Sequence, residues 1–273
     1  MSASPYPYKL GLIGAGAMGS ALLRGNLERQ TLAAAEVLVW EVDEQRREVL
    51  CRETGVAAAE GERDLAQRAQ TVLLAVKPQV APELLANLQG TFRSDQLVIS
   101  IMAGVPLARL REWIGEGVPV VRVMPNVLVT VQEGAAGYAA GPEVSAEQLA
   151  LVEALLSSVG RARRVEEKLM DAVTGLAGSG PAFAAVFCEA LADGAVAAGL
   201  PRGLALELAA QVLVGTGRWV LENGSPALLK DQVTSPAGTT IAGLSALETG
   251  GMRAAAMGAV KAAAERSAEL GRK

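Results

Sequence analysis

Apolar and polar positions follow two different patterns along this chain. Up to about Val165, short β-branched runs alternate with stretches in which apolar residues recur every three or four positions. The runs Lys9–Ile13, Val37–Trp40, Val72–Val76, Leu97–Ile101 and Val118–Val123 predict strands. Between them, Met18–Gln30, Asp43–Glu53, Arg63–Ala69, Ala81–Leu88 and Leu107–Trp113 predict helices. Alternation of this kind builds βαβ units and a mostly parallel sheet. Gly137–Ala140 and Arg161–Val165 extend it, around a helix that opens on a capping box, Ser145 with Gln148.

From Glu166 the strand pattern stops. Ala/Leu/Val-rich helices are expected at Glu166–Leu176, Pro181–Ala198, Leu204–Glu222, Thr239–Leu247 and Met252–Leu270. Gly199, Asn223-Gly224 and Gly250-Gly251 read as C-caps, and Ser225-Pro226 as an N-cap followed by proline at the first helical position. Helices apolar over most of their circumference cannot form the outer layer of a monomer. The second region is therefore expected to pair with a copy of itself. The pattern divides the chain into domains at 1–165 and 166–273.

Composition narrows the chemistry. Half of the 273 residues are hydrophobic (51%) but only 3% are aromatic, so the core is aliphatic. A net charge of −4 gives no footprint for nucleic acid or an anionic membrane. Cys51 and Cys188 make neither a disulfide framework nor a metal motif, and no metal site is expected. There is no histidine, which excludes an imidazole proton shuttle, a Ser-His-Asp triad and any His-ligated metal. Met1–Tyr8 lack the basic and apolar regions of a signal peptide. The apolar stretch Pro181–Leu200 contains Glu189, Asp193 and Gly194, so a buried helix is expected there, not a membrane span. The expected location is the cytoplasm.

Gly14-Ala15-Gly16-Ala17-Met18-Gly19 follows the first strand and opens the first helix, the context of a dinucleotide fingerprint. The first glycine permits the tight turn, the second lets backbone approach a pyrophosphate, and the third allows close helix–strand contact. Glu41 ends the second strand, where a carboxylate binds both ribose hydroxyls of NAD and repels the 2′-phosphate of NADP. NADH is the favoured cofactor on that reading, although Arg46 and Arg47 lie a turn further on and can reach a phosphate. Ala75-Val76-Lys77-Pro78, Met102-Ala103-Gly104 and Met124-Pro125-Asn126 follow later strands and are expected to line the nicotinamide half. Lys77 can orient a carboxamide or a phosphate, or snorkel at a strand end. Asn126 can donate to a ligand or shape a turn. Thr174-Gly175-Leu176-Ala177-Gly178-Ser179-Gly180-Pro181 allows either close backbone approach to substrate or helix–helix contact. Last, Thr234-Ser235-Pro236-Ala237-Gly238-Thr239-Thr240 packs hydroxyls and backbone N–H groups into one turn ahead of a helix, an anion cradle.

These motifs together resemble the pyrroline-5-carboxylate reductase family. The similarity runs from Lys9 to about Leu270 and rests on Ile13–Gly19, Ala75-Val76-Lys77-Pro78-Gln79, Arg122–Asn126, Asp171–Ala182 and Leu229–Glu248. The resemblance implies an N-terminal Rossmann domain, a doubly wound α/β fold, followed by an all-α domain that intertwines with a partner subunit in a homodimer. Dimers often assemble further into rings. It implies reduction of the small cyclic imino acid 1-pyrroline-5-carboxylate to proline with NAD(P)H. Gly14 to Gly19 would hold the pyrophosphate with Ile13 also at the cofactor, and Ala75–Pro78 and Met102–Gly104 would border the ribose and nicotinamide. Ser235, Gly238 and Thr239 would hold the substrate carboxylate and Thr240 would face the ring nitrogen, while Glu166 of the partner subunit would help close the pocket. The chain departs from the family where Val127-Leu128 replaces Thr-Pro, where Gln232 replaces asparagine, and where Glu60-Gly61-Glu62-Arg63 lacks an asparagine toward the adenosine ribose. Other readings are a related cyclic-imine reductase, a β-hydroxyacid dehydrogenase of similar plan, or a non-catalytic dinucleotide-binding regulator. The dehydrogenase would want a lysine on the first interdomain helix, and between Glu166 and Pro181 only Lys168 is present.

Overall fold

The computed structural model describes residues 5–271. They divide into two compact units. One runs to Ser179 and takes in the chain from Ala263 onward, and the other is Gly180–Ala262.

The first unit is built on one sheet of β1 (Tyr8–Ile13), β2 (Val37–Trp40), β3 (Ala57–Ala58), β4 (Ala69–Leu74), β5 (Leu97–Ser100), β6 (Val120–Met124), β7 (Gly134–Ala140) and β8 (Gly160–Arg164). The spatial order is β3-β2-β1-β4-β5-β6-β7-β8. All neighbours are parallel except β6 and β7. Helices α1 (Ala17–Glu28), α2 (Glu44–Thr54), α3 (Glu62–Arg68), α4 (Ala81–Asn87), α5 (Leu107–Ile114) and α6 (Ala146–Ser157) connect the strands. Alternation along each strand decides which face a residue serves. Leu12, Leu73 and Val121 enter one core with Leu23 and Leu156, while Ile13, Leu74 and Val120 enter the opposite core with Leu65, Leu85 and Leu110. Both faces are thus buried, as a parallel sheet requires. β1 lies between β2 and β4, so the chain changes direction across the sheet at β1. Ligands bind at the strand ends beside such a point.

Strand and helix positions follow the apolar pattern closely, with shifted boundaries at β4 and β6 and an earlier start of β7 at Gly134. The capping box of α6 forms, Ser145 Oγ accepting from the Gln148 N–H at 3.2 Å and the Ser145 N–H donating to Gln148 Oε1 at 3.0 Å. β3 has only two residues and escapes any periodicity argument. The helix expected at Glu166–Leu176 is not continuous: a 3-10 turn (Glu167–Leu169), α7 (Met170–Val173) and a π-helical turn (Thr174–Gly178) follow one another.

The second unit contains α8 (Gly180–Ala197), α9 (Arg202–Asn223), α10 (Pro226–Gln232), α11 (Thr239–Thr249) and most of α12 (Met252–Leu270). Its core consists of Ala192, Ala205 and Ala209 where α8 packs on α9. Val186 remains 66% exposed, Val212 57% and Met257 67%. The buried helix expected at Pro181–Leu200 is therefore not buried within one chain. Two helical stretches, Glu167–Ala197 and Arg202–Asn223, are long and apolar enough to cross a membrane by length and composition. The same property suits a face awaiting another copy. The last turns of α12 return to the first unit, where Ser267 Oγ donates to Asp171 Oδ1 at 2.7 Å.

Placing a charge on this apolar face tests its use. Val212→Asp is expected to cost about 2–3 kcal/mol of assembly free energy, from lost apolar burial and a desolvated carboxylate. Light scattering should show a lower assembled mass and calorimetry a lower Tm. Unchanged mass and Tm would place the α9 face outside any subunit contact.

Candidate functional site

The carboxyl ends of β1, β2 and β4 open into a cleft of about 570 Å³. Ile13, Gly14, Gly16, Glu41, Ala75, Val76 and Lys77 line it, as their strand-end positions predict. The three fingerprint glycines have separate geometric duties. Gly14 has φ +96°, and a Cβ there would lie 2.7 Å from the Ala75 carbonyl oxygen. A Cβ on Gly19 would lie 2.3 Å from the Gly14 oxygen. Around Gly16 a Cβ would meet nothing within 4 Å. Gly14 and Gly19 are therefore needed to close helix on strand, whereas the space at Gly16 is open to a ligand. Pyrophosphate at the N-terminus of α1 fits that opening, since four orphan N–H groups point outward there. Ala17 and Met18 begin the helix; Ala17 is exposed and Met18 packs on the core.

Glu41 is only 7% exposed. Its Oε2 accepts from the Ala15 N–H at 2.7 Å and its Oε1 from the Asp43 N–H at 3.1 Å. The carboxylate thus holds the glycine loop as well as facing the cleft. Arg47 donates to the Glu41 carbonyl at 2.7 Å and stacks over Trp40, with 4.6 Å from its guanidinium carbon to the ring centroid. Arg46 is half exposed, 3.8 Å from Glu41 Oε2, and lines the cleft. Of the two arginines, Arg46 is the one placed to meet a phosphate. Glu62 also lines the cleft. The Cys51 thiol, on α2, is pushed above its usual range by burial, with Arg47 opposing, and stays protonated at neutral pH. Among the described residues, no group of three His, Cys, Asp or Glu side chains is placed to hold a metal.

The remaining nicotinamide-side residues separate. Pro78, Ala103 and Gly104 line a second cleft of about 530 Å³, beside Trp113 and Leu270. Met102 is 2% exposed and its side chain belongs to the core, leaving only its backbone to face a ligand. Asn126 is 4% exposed and does not line the first cleft. Its Oδ1 accepts from the Leu128 and Ala135 N–H groups, both at 3.2 Å, and its Nδ2 donates to the Ala177 carbonyl at 3.0 Å. Of its two sequence readings, shaping the turn is what these bonds do. Sequence reasoning missed Val80, Glu83, Leu84 and Asn87, which line the first cleft from α4 and the residue before it. Their spacing of three and four along a helix behind the Lys77 loop was the available signal.

In the second unit, Ser235–Thr240 forms the turn that starts α11. Gly238 is its N-cap, with extended backbone and no side-chain cap, so the first N–H groups of α11 remain for a ligand. The Gly238 N–H donates to the Ser235 carbonyl at 3.1 Å, and a Cβ on Gly238 would lie 2.3 Å from Ser235 Oγ. Ala237 holds φ +56°, a left-handed conformation rare for a residue with a Cβ. Ser235 and Thr239 are exposed and Thr240 is half-buried. Glu166, in the first unit, is exposed and pairs with Lys168 at 2.6 Å.

Comparison with known proteins gives a consistent result. Residues 167–270 match the family described as pyrroline-5-carboxylate reductase dimerisation, and residues 9–104 match NADP oxidoreductase, coenzyme F420-dependent. A pyrroline-5-carboxylate reductase of Methanosarcina acetivorans is 47% identical over 97% of this chain and 98% of its own length. One from Arabidopsis thaliana is 40% identical over 96% and 95%. Among solved structures, the Plasmodium falciparum pyrroline carboxylate reductase with NADP bound is 32% identical, with a TM-score of 0.85 over 97% of this chain and 98% of that one. The pyrroline-5-carboxylate reductase of Coxiella burnetii is 30% identical, with a TM-score of 0.91 over 97% and 98%.

The glycine geometry separates folding from binding. Gly16→Ala is expected to fold with near-native Tm but to weaken dinucleotide binding about 10-fold or more, by obstructing the approach of the pyrophosphate. Gly19→Ala should lower Tm through its clash with the Gly14 carbonyl. Fluorescence titration and thermal melts of both variants check this; full dinucleotide affinity in Gly16→Ala would remove the pyrophosphate from that opening.

Proposed function

This chain belongs to the pyrroline-5-carboxylate reductase family, and from that premise we propose which of its residues carry each part of the reaction. The protein is an NAD(P)H-dependent oxidoreductase that reduces 1-pyrroline-5-carboxylate to proline, the last step of proline biosynthesis. It is a homo-oligomer. A dimer through the helical unit is the reading that its exposed apolar faces support, and a ring of dimers rests on family resemblance alone. The observation that carries the assignment is likeness to reductases over nearly the whole chain, including both motif-bearing halves.

A reduced nicotinamide dinucleotide, when bound, supplies the hydride. Gly14 to Gly19 would hold its pyrophosphate at the α1 N-terminus, and Glu41 and Lys77 would meet the two ends of the molecule along the first cleft. The substrate needs little else from the chain. Its ring nitrogen takes a proton from water near neutral pH, so the absence of histidine is no obstacle. The free N–H groups at the start of α11, with the Ser235 and Thr239 hydroxyls, grip the carboxylate. An analogue without the carboxylate leaves those donors unpaired. Thr240 would hydrogen-bond the ring nitrogen and so help to orient the imine, in a reaction that asks mainly for placement. The partner's Glu166 closes the pocket. NADH is the preferred cofactor, because the fixed Glu41 carboxylate repels a 2′-phosphate.

The decisive assay mixes the purified protein with 1-pyrroline-5-carboxylate and NADH or NADPH and follows the nicotinamide absorbance. Turnover is expected with both, faster with NADH. No turnover with either would sink the assignment. Thr240→Ala, losing one hydrogen bond of about 1 kcal/mol, should lower kcat/KM about fivefold. Equal turnover would remove Thr240 from the mechanism. Glu41→Gln should shift the NADH-to-NADPH ratio of kcat/KM toward NADPH by about tenfold. An unchanged ratio, or an NADPH preference in the wild type, would refute the role given to Glu41.

A further inference from the structure

Between β5 and α5 the chain crosses the carboxyl edge of the sheet as Ile101–Pro106. Met102 and Val105 are buried in the core, as is Leu107 just beyond, so Ala103 and Gly104 form the outward part of this loop. At its start, the Met102 N–H donates to the hydroxyl of the buried Ser100 at 3.3 Å. Its far end has no such local anchor. Helix α5 begins on Pro106, whose ring offers no side-chain cap, and the first N–H groups of a helix need acceptors from elsewhere. The acceptor comes from 60 residues away: Glu167 Oε1 accepts from the Leu107 N–H at 2.6 Å. The same oxygen accepts from Arg122 Nη1 at 3.3 Å. Arg122 is buried on β6, in register with Ser100 of β5. A buried guanidinium holds its carboxylate firmly, because the alternative is an uncompensated charge. Arg122 therefore fixes Glu167, and Glu167 fixes Leu107. Neighbouring Glu166 pairs with Lys168 instead.

The loop's place on the sheet decides what this anchoring serves. Glu41, the glycine loop, Ala75–Lys77 and Ile101–Pro106 follow β2, β1, β4 and β5, which are adjacent and parallel. They stand in that order along one edge of the first unit. A pyrophosphate at the glycine loop leaves one end of the dinucleotide toward Glu41 and the other toward Lys77 and the β5 loop. Ala103 and Gly104 share the second cleft with Pro78, the residue after Lys77. The nicotinamide end is thus the part of the cofactor that this loop can reach. Hydride transfer is sensitive to misplacement of about 1 Å, so the backbone there must be held.

We propose that Glu167 is a positioning residue for the nicotinamide end of the dinucleotide: held by Arg122, its carboxylate caps α5 at Leu107 and so sets the Ala103-Gly104 loop, without touching the cofactor. This role rests on the orientation that the reductase reading gives the dinucleotide.

Glu167→Ala and Glu167→Gln test it in the full-length protein. Glutamine keeps Oε1 for both Leu107 and Arg122, and alanine removes it. Glu167→Ala is expected to lower kcat about tenfold and raise the NADH Kd about fivefold, while the Kd of ADP-ribose, which lacks the nicotinamide ring, stays within about twofold of wild type. Glu167→Gln should return both NADH Kd and kcat to within about twofold. Alanine also strands Arg122 as a buried, unpaired charge, which lowers Tm. Adding Arg122→Met removes that charge, so Tm should recover while the kcat and NADH defects persist. The role is overturned if ADP-ribose weakens as much as NADH, if kcat recovers along with Tm in the double variant, if glutamine is as impaired as alanine, or if folded Glu167→Ala keeps wild-type kcat and NADH affinity. Absence of turnover in the wild type would sink the assigned reduction, and the comparison of NADH with ADP-ribose would still decide this role.

Discussion

The helical unit has more apolar surface than one chain can cover, and most features of this protein follow from that. α8 and α9 meet over three alanines with Leu191 and Val196 beside them, while Val186, Leu208, Val212, Leu221 and the α12 residues Met252 and Met257 are exposed. Each fully buried valine or leucine contributes about 1.5–3 kcal/mol. Leaving many of them in water is incompatible with the narrow stability margin of folded proteins. In the proposed dimer another copy supplies the missing burial, which couples folding of this unit to association of subunits. Stability then depends on protomer concentration, and dilution acts as a denaturant.

The cleft of the first unit and the turn of the second differ in how they are made rigid. The cofactor half hangs on a sheet buried on both faces, with the glycine loop pinned by Gly14 against Ala75 and by the Glu41 carboxylate on the Ala15 N–H. The anion cradle instead relies on a short turn in which Ser235, Gly238 and a left-handed Ala237 leave little freedom. Such a conformation costs an alanine roughly 1 kcal/mol or more. A turn held in one shape presents its donors without reorganisation, which suits a reaction that asks mainly for placement.

Much of this was legible in the chain. A two-residue period in β1, β4 and β6 sorts Leu12 from Ile13, Leu73 from Leu74 and Val121 from Val120, and the two cores divide along that line. The glycine fingerprint and the cradle turn could be read because each imposes a residue type on a fixed backbone geometry. β3 could not be read, because two alanines have no periodicity. Nor could the break of the 166–176 helix into three short elements, where the contacts come from residues distant in sequence, Met124 at the end of β6 and Asn126 just beyond it. Pro181–Leu200 was read as apolar and expected to be buried; one chain leaves it largely exposed, and a second copy was expected to pair with this region. Sequence reports that a face is greasy, not which molecule covers it. Asn126 and Glu41 were legible as polar groups at strand ends, but not as groups whose bonds run to particular backbone atoms.

The return of α12 has a consequence for how the chain is made. Translation delivers the sheet first, then the helical unit, and only after it the residues from Ala263 onward that belong to the first unit. Asp171 waits for Ser267, and the Gly104 loop waits for Gly271, whose Cα-side space closes on the Gly104 carbonyl. A nascent chain still held by the ribosome therefore has a sheet but an unfinished rim around one of its loops. Loss of the chain from Ala263 onward would therefore reach the nucleotide-binding unit, although these residues lie far in sequence from the glycine fingerprint.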